Sequence, residues 1–513
     1  MSTIELQKLN EVYFKIITEP EILAELHSHL TFAVPGAQFH PKFKAKIWNG
    51  KISLIDRRFN TVYCGVIDHL QKFADERGYE LVYKNEISIG YSVPPIDEIN
   101  SFIAKLKLPL KYLPRDYQYN SVVHSLQNNR ALIVSPTASG KSLILYIISR
   151  FYTQDHLGSP EETDRVLLIV PTLNLVSQMK TDFQEYSQNS KQILEYDKPE
   201  PYNVDDNIHL LYSGQDRTVD KPITISTWQT AIKLPKEYFQ KFSCVIVDEA
   251  HQAKSQSLKH ILENCTHAKY RFGTTGTIQD TACHAWVISG LTGPIYQATT
   301  TKKLMDDKKL AELKIRCIVL EYPELDREQT KKFDYHQEIE YIISHEKRNR
   351  YIRNLALSLK GNTLLLFQFV KKHGCNIYED IKKQLEKSDC SGARKVFFVA
   401  GSTEVEEREQ IRTITETEEN AIIVASVGVF STGVNIRNLE NIIFASPSKS
   451  RIRTLQSIGR VLRIGRSGKA TLYDIVDDLH WKKHRNYAVK HFFERIKIYD
   501  SEKFHYRVYQ IQL

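Results

Sequence analysis

The sequence predicts an α/β protein in which two tandem blocks of parallel sheet follow a small α+β module. Three observations carry this. Short apolar runs alternate with helix-like stretches from Pro114 onward, the texture of a parallel sheet with crossover helices. One run, Ala131 to Val134, leads through a turn of small residues into Gly140-Lys141-Ser142 and an apolar-periodic helix. Another, Cys244 to Val247, ends in the carboxylate pair Asp248-Glu249.

A chain of 513 residues is too long for a single core. The expected division is a basic α+β domain over residues 1–92 and a linker over 93–113. A first α/β block follows over 114–305, and a second block over 306–513 ends in a basic helix. The net charge of +9 suits a polyanionic partner. Seven cysteines without a C-x-x-C pair argue against zinc and disulfides, and for a reducing compartment. The first residues lack the apolar core of a signal peptide, and no apolar run approaches the roughly 20 residues of a membrane span. A soluble, cytoplasmic protein without membrane contact is expected.

In the N-terminal module, Val12 to Ile17 reads as a strand and Glu19 to Leu30 as a helix with Pro20 in its first turn. Asn49-Gly50 lies between two strand-like runs and predicts a hairpin, because a type I′ turn needs positive φ at both central residues. Its first arm alternates Phe43, Ala45 and Ile47 with Lys42, Lys44 and Lys46, placing three lysines on one face, and Lys51, Arg57 and Arg58 extend the charge. With Phe39 and Trp48 this ribbon suits a phosphate backbone, making Lys44, Lys46 and Lys51 candidate nucleic-acid contacts. The plainer alternative is a solvated sheet face with its aromatics in the core. A helix from Gly65 to Arg77 stops at Gly78, two short strands reach Ile89, and Val93-Pro94-Pro95 opens the linker.

The first block has candidate strands at Ala131–Val134, Val166–Val170, Ile208–Leu211, Ile223–Ile225, Cys244–Val247 and Tyr270–Gly273. The second has them at Ile315–Leu320, Thr363–Phe367, Val396–Val399, Ala421–Ala425, Asn441–Phe444 and Ala470–Ile475. His480 to Tyr499 reads as a basic helix with Val489, Phe492, Phe493 and Ile496 on its apolar face. Lys482, Lys483, Arg485, Lys490, Arg495 and Lys497 lie around it.

The turn before Lys141 reads as a phosphate-binding loop. Its backbone N–H groups and the following helix N-terminus favour an anion, Lys141 reaches the β- and γ-phosphates, and the Ser142 hydroxyl ligates Mg²⁺. Ser135 stands where the common pattern has its first glycine. Asp248 and Glu249 follow a strand whose end lies on the ligand-binding edge of a parallel sheet. There Asp248 suits Mg²⁺ and Glu249 suits deprotonation of an attacking water. Gln456, Arg460 and Arg463 fall at i, i+4 and i+7, hence on one helix face. Paired guanidiniums suit a phosphate chain and an arginine finger, which from a second block would couple hydrolysis to domain movement.

Read together, these pieces resemble the motif series of DEAH-type superfamily 2 helicases, from about Arg115 to Ile475. The resemblance implies two RecA-like domains that use ATP and Mg²⁺. Leu113-Pro-Arg115-Asp-Tyr-Gln118 resembles the adenine-reading Q motif. Pro136-Thr137-Ala138-Ser139-Gly140-Lys141-Ser142 resembles motif I, with Ala138 in place of a frequent glycine. Pro171-Thr172 and Thr227-Trp228-Gln229 resemble strand-contact motifs, and Asp248 to His251 is a DEAH motif II. Gly273-Thr-Thr275-Gly-Thr277 resembles motif III, which implies coupling roles for His251, Thr275 and Thr277. Phe367-Gln368 sits at motif IV and implies strand contact. Thr432-Gly433-Val-Asn435 belongs to motif V, implying strand contact by Thr432 and nucleotide contact by Gly433 and Asn435, and Gln456 to Arg463 is motif VI.

A narrower resemblance spans nearly the whole chain. FHPKFKAKIWNGKISLID, VGVFSTGVNIRNL and SIGRVLR are similar to the UvsW-type helicases of tailed bacteriophages. That implies an ATP-driven motor, expected to be monomeric, that unwinds or branch-migrates branched DNA in recombination, repair and replication. It would work in the host cytoplasm if phage-encoded. The residues alone leave open an RNA helicase, an ATP-gated nucleic-acid clamp or annealing protein, and the motor subunit of a restriction complex.

Overall fold

Two seven-stranded, all-parallel sheets share one threading order. They are found among the residues that the computed structural model describes: 2–34, 36–84, 93–153, 165–188, 202–212, 221–251, 256–276, 282–387, 394–401, 403–432, 438–446, 458–459 and 468–513.

Seven short strands come first: β1 Thr3–Lys8, β2 Tyr13–Ile17, β3 Thr31–Ala33, β4 Lys51–Ser53, β5 Ile55–Asp56, β6 Thr61–Tyr63 and β7 Glu80–Tyr83. They make a sheet ordered β5-β6-β2-β1-β7 and a separate β3-β4 ribbon. The next seven are β8 Arg130–Val134, β9 Val166–Val170, β10 Ile208–Leu211, β11 Ile223–Thr227, β12 Cys244–Val247, β13 Tyr270–Thr275 and β14 Ile295–Gln297. Their order is β10-β11-β9-β12-β13-β8-β14. The last seven are β15 Glu312–Glu321, β16 Thr363–Phe367, β17 Val396–Val399, β18 Ile422–Ser426, β19 Asn441–Phe444, β20 Lys469–Asp478 and β21 Tyr506–Gln512. Their order, β17-β18-β16-β19-β20-β15-β21, is the previous one with seven added to every number. Each sheet by itself is the RecA-like sheet that the motif series implies.

All twelve strands read from the apolar runs are present. The sequence reading missed β14 and β21, which close one edge of each sheet. β14 is three residues long, and YRVYQIQ of β21 is polar and largely exposed, so neither shows the continuous apolar run of an interior strand.

The basic hairpin takes a different form from the one expected. Lys42 to Trp48 is not a strand: Pro41–Lys44 is a helical turn, begun by Pro41 at its first position and capped by His40 Nδ1, which accepts from Lys42 N–H at 3.2 Å. Lys46 then turns left-handed at φ 57, and the N–H groups of Ile47 and Trp48 both donate to the Lys42 carbonyl. The arm that pairs with β4 is β3, with Ala33 opposite Lys51. Lys42, Lys44 and Lys46 are all exposed, but they ride on a helical turn rather than on one face of a ribbon.

The stretch read as a linker contains a helix, Ile96–Lys105, whose Ile99 and Phe102 are buried in the core beneath the first parallel sheet. The chain divides into two compact units, residues 1–135 with 140–299, and residues 300–513 with 136–139.

Within the first unit, the N-terminal sheet and the parallel sheet share one core, in which Val66, Leu70 and Phe73 cluster with Val245, Leu262 and Leu291. The backbones come so close that a Cβ on Gly65 would lie 2.3 Å from the Ser289 carbonyl oxygen. Tyr13 and Tyr63 donate to Glu263 across this seam, Arg130 donates to the Glu11 carbonyl at 2.7 Å, and His69 stacks on Trp286 at 3.7 Å. Arg271, the second residue of β13, is wholly buried. Its guanidinium donates to the carbonyls of Leu262, Cys265 and Leu291 at 2.7–2.9 Å, tying the C-terminal ends of Gln256–Asn264 and Ala282–Thr292 together.

The second unit is pinned by buried ion pairs. Arg348 donates from Nε and Nη2 to the two carboxylate oxygens of Asp477 at 2.6 and 3.1 Å, and from Nη2 to the Ala445 carbonyl at 2.6 Å. The last helix, Tyr487–Ser501, is rotated from the expected face: it buries His491, Phe492, Arg495, Ile498 and Tyr499, whereas Phe493 is exposed. Arg495 is therefore not part of a basic rim. It donates to Asp474 Oδ2 at 2.9 Å, which also accepts from Tyr499 Oη.

Candidate functional site

β13 lies between β12 and β8, so its last two residues separate the carboxylate pair from the phosphate loop. Both sides are bonded through them. Thr274 Oγ1 donates to Asp248 Oδ1 at 2.7 Å, the Thr275 carbonyl accepts from Ser135 N–H at 2.9 Å, and Thr275 Oγ1 lies 3.2 Å from His251 Nδ1. Thr274 was not singled out in the sequence. Its only signal there is adjacency to Thr275, and the strand order makes it a partner of Asp248.

The loop between β8 and the helix Lys141–Phe151 turns through two left-handed residues, Ala138 at φ 67 and Gly140 at φ 79. Ala138 occupies the position where a glycine is frequent, in the backbone conformation that favours glycine. At Gly140 an added Cβ would lie 2.5 Å from Gln118 Nε2, so the loop needs glycine there on two counts. Gln118 is buried, with both ends of its amide bonded. Nε2 donates to the Gly140 carbonyl at 3.2 Å, and Oε1 accepts from Arg115 N–H at 2.9 Å, while the Arg115 side chain is exposed against the Tyr117 hydroxyl.

Lys141 Nζ donates to the Ser135 carbonyl at 3.3 Å and lies 3.9 Å from Glu249 Oε1. Glu249 Oε2 is 3.2 Å from His251 Nδ1. Glu249 itself sits at φ 52, an uncommon conformation for a residue with a side chain, of the kind that gathers at functional sites. Burial raises the pKa of Asp248, and the Glu249 charge raises it further, against the pull of Lys141 and Thr274.

These residues fit Mg²⁺. Asp248 is a half-buried carboxylate beside a second acid, and the hydrogen bonds from Thr274 Oγ1 and from Glu249 N–H both fall on its Oδ1. A divalent cation there would favour its ionised form. Ser142 Oγ, 2.8 Å from Tyr186 Oη, supplies a hydroxyl. Among the described residues no group of three or more His, Cys, Asp or Glu side chains could hold a metal by itself. That suits an ion which completes its shell with phosphate oxygens and water.

Of the other sequence candidates, Pro171 and Thr172 follow β9 and Gln229 follows β11, the neighbouring strand. Gln229 Nε2 donates to the Pro171 carbonyl at 3.3 Å, which joins the two segments expected to contact a strand. Thr227 is buried and caps its helix by accepting from Thr230 N–H, and Trp228 packs partly into the core. Phe367 is a correction. Its side chain is wholly buried and stacked on Phe398 at 5.5 Å, because every residue of this interior parallel strand is covered, whichever face it is on; its neighbour Gln368 is exposed. Thr432 ends the helix Val427–Thr432, of which only its backbone is described. Thr277, Gly433, Asn435, Gln456, Arg460 and Arg463 lie outside the described residues.

Three family matches tile the chain. Residues 3–84 match the N-terminal region of DNA helicase UvsW, 99–280 the res subunit of type III restriction enzymes, and 346–465 the helicase conserved C-terminal domain. The ATP-dependent DNA helicase uvsW of Enterobacteria phage T4 is 32% identical over 520 residues, covering 98% of each protein. The DNA 3′-5′ translocase XPB2 of Sulfurisphaera tokodaii is 25% identical over 435 residues, covering 79% of this chain and 89% of that protein. Among solved structures, S. cerevisiae Dbp5 bound to RNA and ADP BeF3 aligns over 84% of this chain and 96% of its own. At 14% identity and a TM-score of 0.52 that is a likeness of fold alone. The motif geometry at the tips of β8, β12 and β13, together with a relative matched almost end to end, shows that the chain belongs to the UvsW family of ATP-dependent DNA helicases.

Proposed function

We propose that this chain is an ATP- and Mg²⁺-dependent motor that moves along DNA and unwinds or branch-migrates branched intermediates of recombination, repair and replication. The observation that carries the reading is the convergence of Lys141, Asp248 and Glu249 on one sheet edge, with Thr274 and Thr275 bonded to both sides.

In this mechanism the loop N–H groups and Lys141 hold the β- and γ-phosphates, so Lys141 exchanges its contact with Glu249 for phosphate oxygens. Ser142 and Asp248 would hold Mg²⁺, which would offset phosphate charge when bound. Glu249 then orients and deprotonates the attacking water, and His251 Nδ1 steadies its second carboxylate oxygen. Thr137, Ala138, Ser139 and Gly140 line the phosphate turn, and Arg115 and Gln118 read the adenine edge. Thr275, His251 and Thr277 carry the nucleotide state toward the strand grip. Gly433 and Asn435 contact the nucleotide, and Gln456, Arg460 and Arg463 bind its phosphates.

The strand grip comprises Pro171, Thr172, Thr227, Trp228, Gln229, Gln368 and Thr432, with Lys44, Lys46 and Lys51 on the N-terminal module. The motor acts as a monomer in the cytoplasm. Among the described residues no helix is long and apolar enough to cross a membrane.

The test is ATP-dependent processing of forks, four-way junctions and linear duplexes, offered side by side as DNA and as RNA. Processing of DNA forks and junctions is expected. Stimulation of ATPase by RNA alone, or ATP-dependent affinity without displacement of any labelled strand, would overturn the proposal.

A further inference from the structure

A cavity of about 840 Å³ opens along the seam between the N-terminal sheet and the first parallel-sheet domain, inside one compact unit. None of the motor motifs contributes to it. On one side stand Tyr13 and Tyr63, stacked at 5.4 Å and 28°. Both hydroxyls donate to Glu263 Oε1, at 2.9 and 2.7 Å, and Lys259 Nζ lies 3.7 Å from the same oxygen. Burial pushes both phenols well above their usual range, so they stay protonated donors. Glu263 Oε2 receives none of these three contacts.

On the other side is the tip of the β5–β6 hairpin, Arg57-Arg58-Phe59-Asn60. The tip is tethered at three points. Asp56 Oδ1 accepts from Arg58 N–H at 2.8 Å, Ile16 N–H donates to the Asn60 carbonyl at 2.8 Å, and Arg57 Nε donates to His27 Nε2 at 2.7 Å. On this fixed turn the Phe59 side chain is 66% exposed, with Arg58 and Lys15 also exposed beside it.

A single exposed phenylalanine is ordinary. An anchored one at the mouth of a cavity, among cations and above carboxylate acceptors, is a combination with a specific chemistry. The aromatic face suits stacking, Lys15, Arg58 and Lys259 suit phosphates, and Glu263 and Asp56 suit the exocyclic amines of adenine, cytosine or guanine. Cavities of roughly 300–1,000 Å³ hold small organic ligands, a size that admits a nucleotide.

We propose that this cavity receives a base unstacked from DNA at a branch point, with Phe59 as the stacking face or wedge. The proposal rests on the DNA-motor reading and adds to it a site that senses the junction itself.

The experiment compares a DNA fork carrying an adenine at the branch point with the same fork made abasic there, for the wild type, Phe59→Ala and Phe59→Trp. Phe59→Ala is expected to weaken binding of the intact fork about tenfold, a factor within the range of one lost base–aromatic stack, with an unchanged salt slope. Phe59→Trp restores the affinity, and on the abasic fork the wild type and Phe59→Ala bind alike. Equal affinity of wild type and Phe59→Ala for the intact fork overturns the proposal, as does a full Phe59→Ala effect on the abasic fork. DNA-stimulated ATPase of the wild type is measured alongside. Its absence with the Phe59 effect present would sink the motor reading and leave the site, and normal stimulation with a silent Phe59→Ala would sink the site alone.

Discussion

Lys141 Nζ lies 3.9 Å from Glu249 Oε1, so the residue proposed to hold phosphates is paired with the residue proposed to activate water. On that proposal the two must part before either works. Replacing Glu249 with Gln would remove the proposed base and also loosen this tie. Turnover should fall by at least about 10²-fold, the usual share of a general base, while ATP affinity holds or rises. Steady-state ATPase against equilibrium binding of a fluorescent ATP analogue checks both halves. Near-normal turnover in the folded variant would remove Glu249 from the mechanism.

Ala138 sits at φ 67, where a side chain costs about 1–2 kcal/mol relative to glycine. Ala138→Gly should therefore relieve strain in the loop, partly countered by the greater freedom of glycine in the unfolded chain. A midpoint of unfolding equal to or above that of the wild type is expected, with ATPase retained. A clear loss of stability would mean that the methyl group makes a contact worth more than its strain.

The N-terminal module is fused to the first motor sheet through a shared core, and Gly65 marks its tightest point. An added methyl group there meets two backbone carbonyls, those of Ser289 at 2.3 Å and Gly290 at 2.7 Å, which cannot swing aside. Gly65→Ala should cost about 1–3 kcal/mol, in line with overpacking elsewhere. Denaturant unfolding followed by limited proteolysis would show both sheets of the first unit loosening together. Loss of the N-terminal module alone would show that the seam is weaker than its packing implies.

His373 is wholly buried between Arg348 Nη1, 3.3 Å from its Nε2, and Ser446 Oγ, 3.3 Å from its Nδ1. Since arginine only donates, Nε2 is the acceptor and Nδ1 carries the proton. Burial, and then the Arg348 charge, push its pKa from 6.5 down to about 3. Between those values the unfolded chain binds a proton that the folded chain refuses, so stability is lost as pH falls below about 6.5. The slope is about 1.4 kcal/mol per pH unit. His373→Gln should flatten that acid limb, measured as unfolding midpoints at pH 7, 6 and 5. Parallel slopes for the two proteins would refute the assignment.

Lys44, Lys46 and Lys51 are exposed. If all three neutralise phosphates, replacing them together with Ala should lower the slope of log affinity against log salt by roughly 2–3, at about 0.9 per contact. An unchanged slope would leave them as a solvated surface.

The sequence by itself determined what is local and periodic. Apolar runs marked the interior strands of both sheets, and the residues at their ends named the phosphate loop and the acid pair, because a buried parallel strand is a continuous apolar string with its chemistry at one tip. It did not determine which strands would be neighbours. Only the placement of β13 between β8 and β12 made Thr274 a partner of Asp248 and set Thr275 against both Ser135 and His251. The alternation of lysines from Lys42 to Lys46 read as a ribbon, but Pro41 and the left-handed Lys46 folded it into a helical turn, since five residues carry too little pattern to outweigh one proline. Phe367 and Arg495 disappeared into cores where stacking and a buried carboxylate took them, a fate decided by partners distant in the chain. Tertiary structure alone also made the cavity beside Phe59. Its walls come from residues near 13, 59 and 263, and no window of sequence holds all three.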